Sequence, residues 1–270
     1  MRWIMPTVAC LSSPRAPAVS GPNIVALLVF ACLFGAALVG MRIRAWLPGH
    51  HLNNEAKDSV RIAMGTVATM AALVLGLLVA STKGTYDAER NESTQLASRI
   101  IYLDRVLAMY GPETAGARGE LKQATTAMIH RMWPDERGEK VLLEPNEKWG
   151  DALPKAIYGL APKDEVQKQF KEQATEMVDD LAQTRWLLYE QAETSVSRAM
   201  LLVVILWLGI LFLSIGLFAP PNATVVMALM LSAISVSGAI FLILELDMPY
   251  AGMLSISSEP MRLALQHLGQ

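Results

Sequence analysis

Residues 62–80 read IAMGTVATMAALVLGLLVA, with no Lys, Arg, Asp, Glu or His among them. A run of about 20 apolar residues is what an α-helix needs to cross the hydrocarbon core of a bilayer. A helix is also the form in which a single segment satisfies its own backbone polar groups inside lipid. Three further runs share the character: Asn23–Gly40, Ala199–Phe218 and Ala223–Leu244. Two thus precede and two follow a charged middle. The fold class they predict is all-α, a four-helix transmembrane protein whose long helices extend into a cytoplasmic helical bundle.

Composition narrows the function classes. The chain is 53% hydrophobic and 18% charged, with a formal net charge of -2. No basic surplus marks a nucleic-acid binder. Cys10 and Cys32 are too few and too far apart for a disulfide framework or a metal motif. His50, His51, His130 and His267 are scattered, with no carboxylate or cysteine at ligand spacing, so no metal is expected. A Gly-rich phosphate loop, a nucleophile elbow and an HExxH motif are all missing from the sequence. No catalytic residue and no cofactor are therefore expected, and an enzyme is not the reading.

The segments follow in order: a disordered tail over 1–22, the first two membrane helices in 23–82, a cytoplasmic helical region over 83–198, the last two membrane helices in 199–247, and a tail with a short helix over 248–270. An even number of crossings places both termini and the middle region on one side. Arg2, Arg15, Lys83, Arg90, Arg99, Arg185, Arg198 and Arg262 flank the runs on that side, against Arg42, Arg44, Lys57 and Arg61 on the other. The positive-inside rule then makes the termini and the middle cytoplasmic, in a multi-pass protein of the inner (plasma) membrane.

The middle reads as two long helices continuous with membrane helices. Leu96, Ile100, Leu103, Leu107 and Tyr110 recur at the spacing of one helix face, and Gly111-Pro112 ends that helix. Glu113 opens a shorter helix toward Trp133, and prolines and glycines interrupt residues 134–162. From Lys163 a second stripe runs through Val166, Phe170, Ala174, Met177, Leu181, Leu188, Ala192 and Val196, straight into the third membrane run. These stripes read as the core of an antiparallel stalk.

Several separated motifs resemble the bestrophin-like family, a bacterial and plant family of unassigned function. They are Ala71-Ala72-Leu73-Val74-Leu75-Gly76-Leu77-Leu78-Val79; Leu103-Asp104-Arg105-Val106-Leu107 with Tyr110-Gly111-Pro112-Glu113 and Arg118; Ala219-Pro220-Pro221-Asn222; Glu245-Leu246-Asp247-Met248-Pro249-Tyr250-Ala251-Gly252; and Ser257-Ser258-Glu259-Pro260. Together they cover nearly all of the chain beyond its leader. More distantly, Val74-Leu75-Gly76-Leu77-Leu78-Val79 is similar to the Val-Leu-Gly-aromatic-aromatic-Val run of the bestrophin channels, with leucines for the aromatics. That likeness implies a homo-oligomer, a pentamer, conducting inorganic ions, anions above all, through a neck in the lipid bilayer. It also implies Thr69, Leu73 and Leu77 as the neck-facing residues, and their spacing of four does place them on one helix face. Rings of Leu gate by dewetting, as apolar constrictions do. Pro249-Tyr250-Ala251-Gly252 is similar to the Asn-Pro-Phe-Gly tract after the fourth bestrophin helix, but the acids that follow it in calcium-gated bestrophins are replaced here by Met253-Leu254-Ser255-Ile256, so calcium gating is not implied.

A second reading of the same helix stays open. Gly65, Thr69, Ala72, Gly76 and Ala80 form a face of small residues, which lets membrane helices approach closely. On that reading the protein is a membrane-anchored helical sensor or scaffold. The polar motif residues are Asp104, Glu113, Arg118, Asn222, Glu245 and Asp247. Glu113 and Arg118 flank the Gly111-Pro112 turn and are expected to fix that corner. Glu245 and Asp247, at the end of the fourth run, are expected to line a pore mouth, pair with an arginine such as Arg262, or cap something nearby.

Overall fold

The computed structural model describes residues 21–46, 54–133, 152–191 and 198–269. The expected disordered tail, the irregular stretch over 134–151 and the passage of one helix through 192–197 fall outside these residues.

Eight α-helices follow one another among the described residues: α1 (Pro22–Trp46), α2 (Asn54–Tyr110), α3 (Ala115–Met132), α4 (Ala152–Tyr158), α5 (Glu165–Gln191), α6 (Arg198–Phe218), α7 (Ala223–Leu246) and α8 (Glu259–His267), with a single 3₁₀ turn at Pro112–Thr114. α1, α2, α6 and α7 are each long and apolar enough to cross a membrane. α2 runs unbroken for 57 residues. That length is about 85 Å, nearly three times the thickness of a bilayer core. Its second half therefore leaves the membrane as a stalk.

Three packed clusters hold the described residues together. In the membrane, Val29, Leu33 and Ala37 of α1 meet Phe212 of α6 and Leu229, Ala233 and Ile240 of α7. The α1 set steps by four and the α7 set by four and seven, which puts each on one helix face. At the membrane–stalk junction, Leu78, Val204 and Ile243 join α2, α6 and α7. In the stalk, Leu96, Ile100, Leu103 and Leu107 of α2 pack with Leu121 and Ile129 of α3, Ala174 and Val178 of α5, and Met261 and Ala264 of α8.

The stalk stripe expected on α2 is buried throughout. On α5 the pattern holds from Phe170 to Leu181, whereas Val166 is exposed. Gln167 Nε2 donates to the carbonyl of Tyr110, the last residue of α2, at 3.1 Å. Val166 thus sits at the level where α2 ends, and no further turn of α2 remains to cover it. α8 straps the stalk from outside, docking Met261 and Ala264 onto α2 and α3 and bringing Gly269 back to Asp104 in the last two turns of α2.

Candidate functional site

The second membrane helix stands apart from the other three. Of its apolar window 11% is buried inside the chain, against 22%, 28% and 28% for α1, α6 and α7. Leu73 and Leu77 are 69% and 60% exposed, and Thr69 shares their outward face. The Thr69 hydroxyl donates to the Gly65 carbonyl at 2.9 Å, so its proton is held by its own helix and an acceptor oxygen is left outward. Gly65, Ala72, Gly76 and Ala80 are exposed as well. A Cβ added to Gly65 or Gly76 would meet nothing within 4 Å. Both faces read from the sequence are thus open to something outside this chain.

The close crossing within the chain lies elsewhere. A Cβ on Gly40 of α1 would stand 2.8 Å from the Leu217 nitrogen, and one on Gly216 of α6 would stand 3.1 Å from the Ala37 Cα. The two backbones touch, and only glycine permits it. Just beyond, the Arg44 guanidinium donates to the carbonyls of Phe218 and Ala219, the open C-terminal end of α6. A cation at a helix C-terminus meets the negative end of the macrodipole as well as the unpaired carbonyls.

The polar motif residues sort into three anchors. Asp104 of α2 is 5% exposed. Arg118 of α3 grips it with two bonds, Nε to Oδ1 at 2.7 Å and Nη2 to Oδ2 at 2.8 Å, and the Gly269 amide donates to Oδ2 at 3.2 Å. Burial works against the Asp104 charge, but the Arg118 and Gly269 hydrogen bonds and the positive charges of Arg118 and Lys122 outweigh it, so its pKa lies below the usual carboxylate range. Arg118 therefore ties α3 to α2 and, through Asp104, to the chain's end.

Glu113 pairs with Lys163 across the stalk tip rather than with Arg118. The hydrogen bond from Lys163 holds its carboxyl below the ordinary value. The corner itself is made by Gly111 at φ 133° and by Thr114, whose hydroxyl lies 2.6 Å from the Leu107 carbonyl and 2.7 Å from that of Gly111.

Glu245 is 2% exposed, and its Oε2 accepts the backbone N–H of Met253 at 2.8 Å and of Leu254 at 3.4 Å. Its carboxylate thereby holds the turn that follows α7. That turn requires Gly252, at φ 89°, where a Cβ would press to 3.2 Å from the Glu245 Cδ. Asp247 caps α7, its N–H donating to the Ile243 carbonyl at 3.1 Å. Asn222 takes the N-cap position of α7 through its backbone: its carbonyl accepts from Val225 and Val226, and its side chain makes no cap bond.

Gly40, Gly216 and the half-buried Glu89 of α2 were not singled out in the sequence, and Arg44 was read there only as a basic flank that sets orientation. A glycine in each of two apolar runs was the available signal for the crossing, and Glu89 with Glu92 just past a membrane run was the signal for an acidic face.

A family profile described as Bestrophin-like domain matches residues 30–261. Among curated proteins, none matches the sequence significantly. Two crystal structures of variants of a bacterial bestrophin homologue from Klebsiella pneumoniae superpose with TM-scores of 0.65 and 0.65 at 13% and 14% identity, covering 91% and 92% of this chain and 97% and 99% of theirs. A crystal structure described as a membrane protein superposes with a TM-score of 0.63 at 12% identity over 91% of this chain and 99% of its own. The fold is thus the one those chains share.

Proposed function

The chain belongs to the bestrophin-like family, and from that premise we propose that it forms an oligomeric ion pore lined by α2. The observation that carries this reading is the open face of α2. The other three spans pack on one another, while α2 turns Thr69, Leu73 and Leu77 away from its own chain. Beside them runs the small-residue face of Gly65, Ala72, Gly76 and Ala80, equally uncovered. A helix that met only lipid would have no use for such a face, whereas copies of α2 packed around an axis would. In that ring the small residues approach the neighbouring subunits and the leucines form an apolar neck that opens by wetting.

A pentamer conducting inorganic anions is what the likeness of Val74-Leu75-Gly76-Leu77-Leu78-Val79 to the bestrophin-channel run implies. Apolar rings do not select the sign of a charge. Selection then falls to the polar path outside the neck. The orientation that fits the basic residues places the stalk and both termini in the cytoplasm and the protein in the inner membrane.

The test is reconstitution. Purified protein in liposomes should pass anion flux above that of empty vesicles, and particle averaging should show a closed ring with α2 around its axis. Absence of flux across a broad ion panel, in a monomer or in a dimer without a central axis, would replace the pore with the sensor or scaffold reading.

A further inference from the structure

The chain after α7 folds into a closed turn whose outer side is apolar. Residues 248–258 read MPYAGMLSISS, with no Lys, Arg, Asp, Glu or His among them. Glu245, in the last turn of α7, gathers this stretch at two points. Its carbonyl accepts the Met248 N–H at 3.2 Å, and its carboxylate accepts the N–H groups of Met253 at 2.8 Å and Leu254 at 3.4 Å. The Ile256 N–H closes the turn onto the Pro249 carbonyl at 2.7 Å, and the Ala251 N–H bonds the Met248 carbonyl at 3.1 Å. Inward, Tyr250 and Ile256 join the stalk core, where Trp133 Nε1 donates to the Ile256 carbonyl at 2.6 Å. Outward stand Met248, Met253 and Leu254, all exposed, Met253 by 79%.

Height decides what that outer side meets. α7 has 24 residues, a length of about 36 Å against a hydrocarbon core of about 30 Å. Its last turn therefore stands at the edge of the core. The bonds to Glu245 hold Met253 and Leu254 within one side chain's reach of that turn, and a Cβ on Gly252 would lie 3.2 Å from the Glu245 Cδ. The closed turn is thus at the level of the membrane surface and not out along the stalk. Its backbone suits that zone, where an unpaired N–H is costly. The N–H groups of Met248, Ala251, Met253, Leu254 and Ile256 all bond within it or to Glu245, and Pro249 has none to satisfy. The Glu245 carboxylate is 2% exposed and turned to those amides. Asp247 and Glu259 bound the uncharged stretch on either side.

We propose that this turn rests in the bilayer surface at which α7 ends, with Met248, Met253 and Leu254 seated between lipid headgroups and the first acyl carbons. The occupant of the apolar face is lipid because the face continues a membrane span: α7 and the three side chains share the hydrogen bonds of Glu245. Unbranched methionines adapt to irregular surroundings such as these. A segment lying in the interface is held there by the apolar area it buries. The inner side of the same turn is bonded to Trp133, the residue that follows α3. The stalk is therefore moored to the membrane surface at a second point, apart from the passage of α2. The mooring rests on α7 crossing the membrane and is independent of ion conduction.

The experiment is spin-label accessibility on the full chain in vesicles of phosphatidylcholine and phosphatidylglycerol. In a Cys10→Ser, Cys32→Ala background, Met253→Cys carries the nitroxide, and Val166→Cys, exposed at the stalk tip, carries the reference. Molecular oxygen concentrates in lipid and a nickel chelate in water, so the ratio of their collision rates with the label reads its surroundings. That ratio should be higher at 253 than at 166. Leu254→Cys should agree with 253, and it decides the matter if Met253→Cys does not fold. A ratio no higher than at 166 would put the turn in water. Low collision rates with both reagents would put it under protein, a second copy of this chain. Either result overturns the mooring.

Discussion

Gly216 of α6 faces the backbone of Ala37 of α1 so closely that a Cβ at 216 would lie 2.9 Å from the Ala37 carbonyl carbon. In lipid, helices gain little from hiding apolar surface from one another, so close backbone approach has to supply the attraction. An added methyl here meets main chain, which cannot swing aside. Gly216→Ala should destabilise the protein by about 1–3 kcal/mol, as overpacking does. Gly209→Ala, on the same helix with nothing within 4 Å, should be neutral or gain up to about 1 kcal/mol from helix propensity. Thermal melting of the two variants in one detergent separates them.

The membrane helices and the stalk stripe were legible because lipid and core both write themselves in hydropathy. Leu96, Ile100, Leu103 and Leu107 repeat at the helical period, and each is buried. The anchors were harder because each joins residues remote in sequence. Asp104 is held by Gly269, 165 positions away, and nothing in either neighbourhood announces the other. Glu245 was visible as an acid at a helix end, but its partners are backbone amides delivered by a turn at Gly252, a matter of chain path and not of residue type. The Gly40–Gly216 crossing shows the same limit: a lone glycine carries no period, whereas four small residues on α2 do. That periodic face finds no partner among the described residues, so one chain's sequence could not decide what it packs against.

Arg44 carries the next expectation. Its guanidinium is taken up by the carbonyls of Phe218 and Ala219, so its place beside the first span answers to the end of α6 and not only to membrane orientation. Arg44→Ala should cost about 1–2 kcal/mol, the scale of a partly buried cation at a helix C-terminus. Arg42→Ala, exposed two residues earlier, should stay within about 0.5 kcal/mol. Chemical denaturation in mild detergent is the check.

Removing Arg118 leaves the Asp104 carboxylate buried without its main partner, and Arg118→Ala should cost about 3 kcal/mol or more. The pH dependence has a definite sign. Asp104 is held below the ordinary carboxyl value of 3.8, so the folded state binds fewer protons than the unfolded state. Its contribution is present in full above that value and is lost as pH falls through the depressed one. Melting temperatures measured below about pH 4 should therefore drop more for the wild type than for Asp104→Asn.

Gly111 turns the chain from α2 toward α3 at φ 133°, and a Cβ there would also meet Glu113 Oε2 at 2.8 Å. The carboxylate end can move, but the backbone angle cannot relax without opening the corner that Thr114 holds. Gly111→Ala should cost about 1–3 kcal/mol, the range for a non-glycine residue forced into a sparsely populated backbone region. Loss of the Glu113–Lys163 pair alone, in Glu113→Gln, should leave the melting temperature nearly unchanged because both groups face water. Melting curves of the two variants would show whether backbone or ion pair fixes the tip.

The neck can be tested cleanly because its leucines are not core. Leu73 and Leu77 are 69% and 60% exposed within the chain, whereas Leu78 next to them is 5% exposed and packed on Val204 and Ile243. Leu78→Ala should therefore cost about 2–5 kcal/mol, as buried leucines do. Leu73→Ala and Leu77→Ala should leave the subunit's stability within about 0.5 kcal/mol. Any change in flux from the latter pair is then a property of the pore and not of unfolding. If these side chains close an apolar neck, each truncation widens it, eases wetting and raises leak through liposomes. If they pack between subunits instead, flux stays at the wild-type level while the oligomer falls apart on sizing, and the neck assignment is lost. A polar replacement sharpens the contrast: Leu77→Ser at the same position should raise leak further than Leu77→Ala, because a hydroxyl ring holds water that a methyl ring does not.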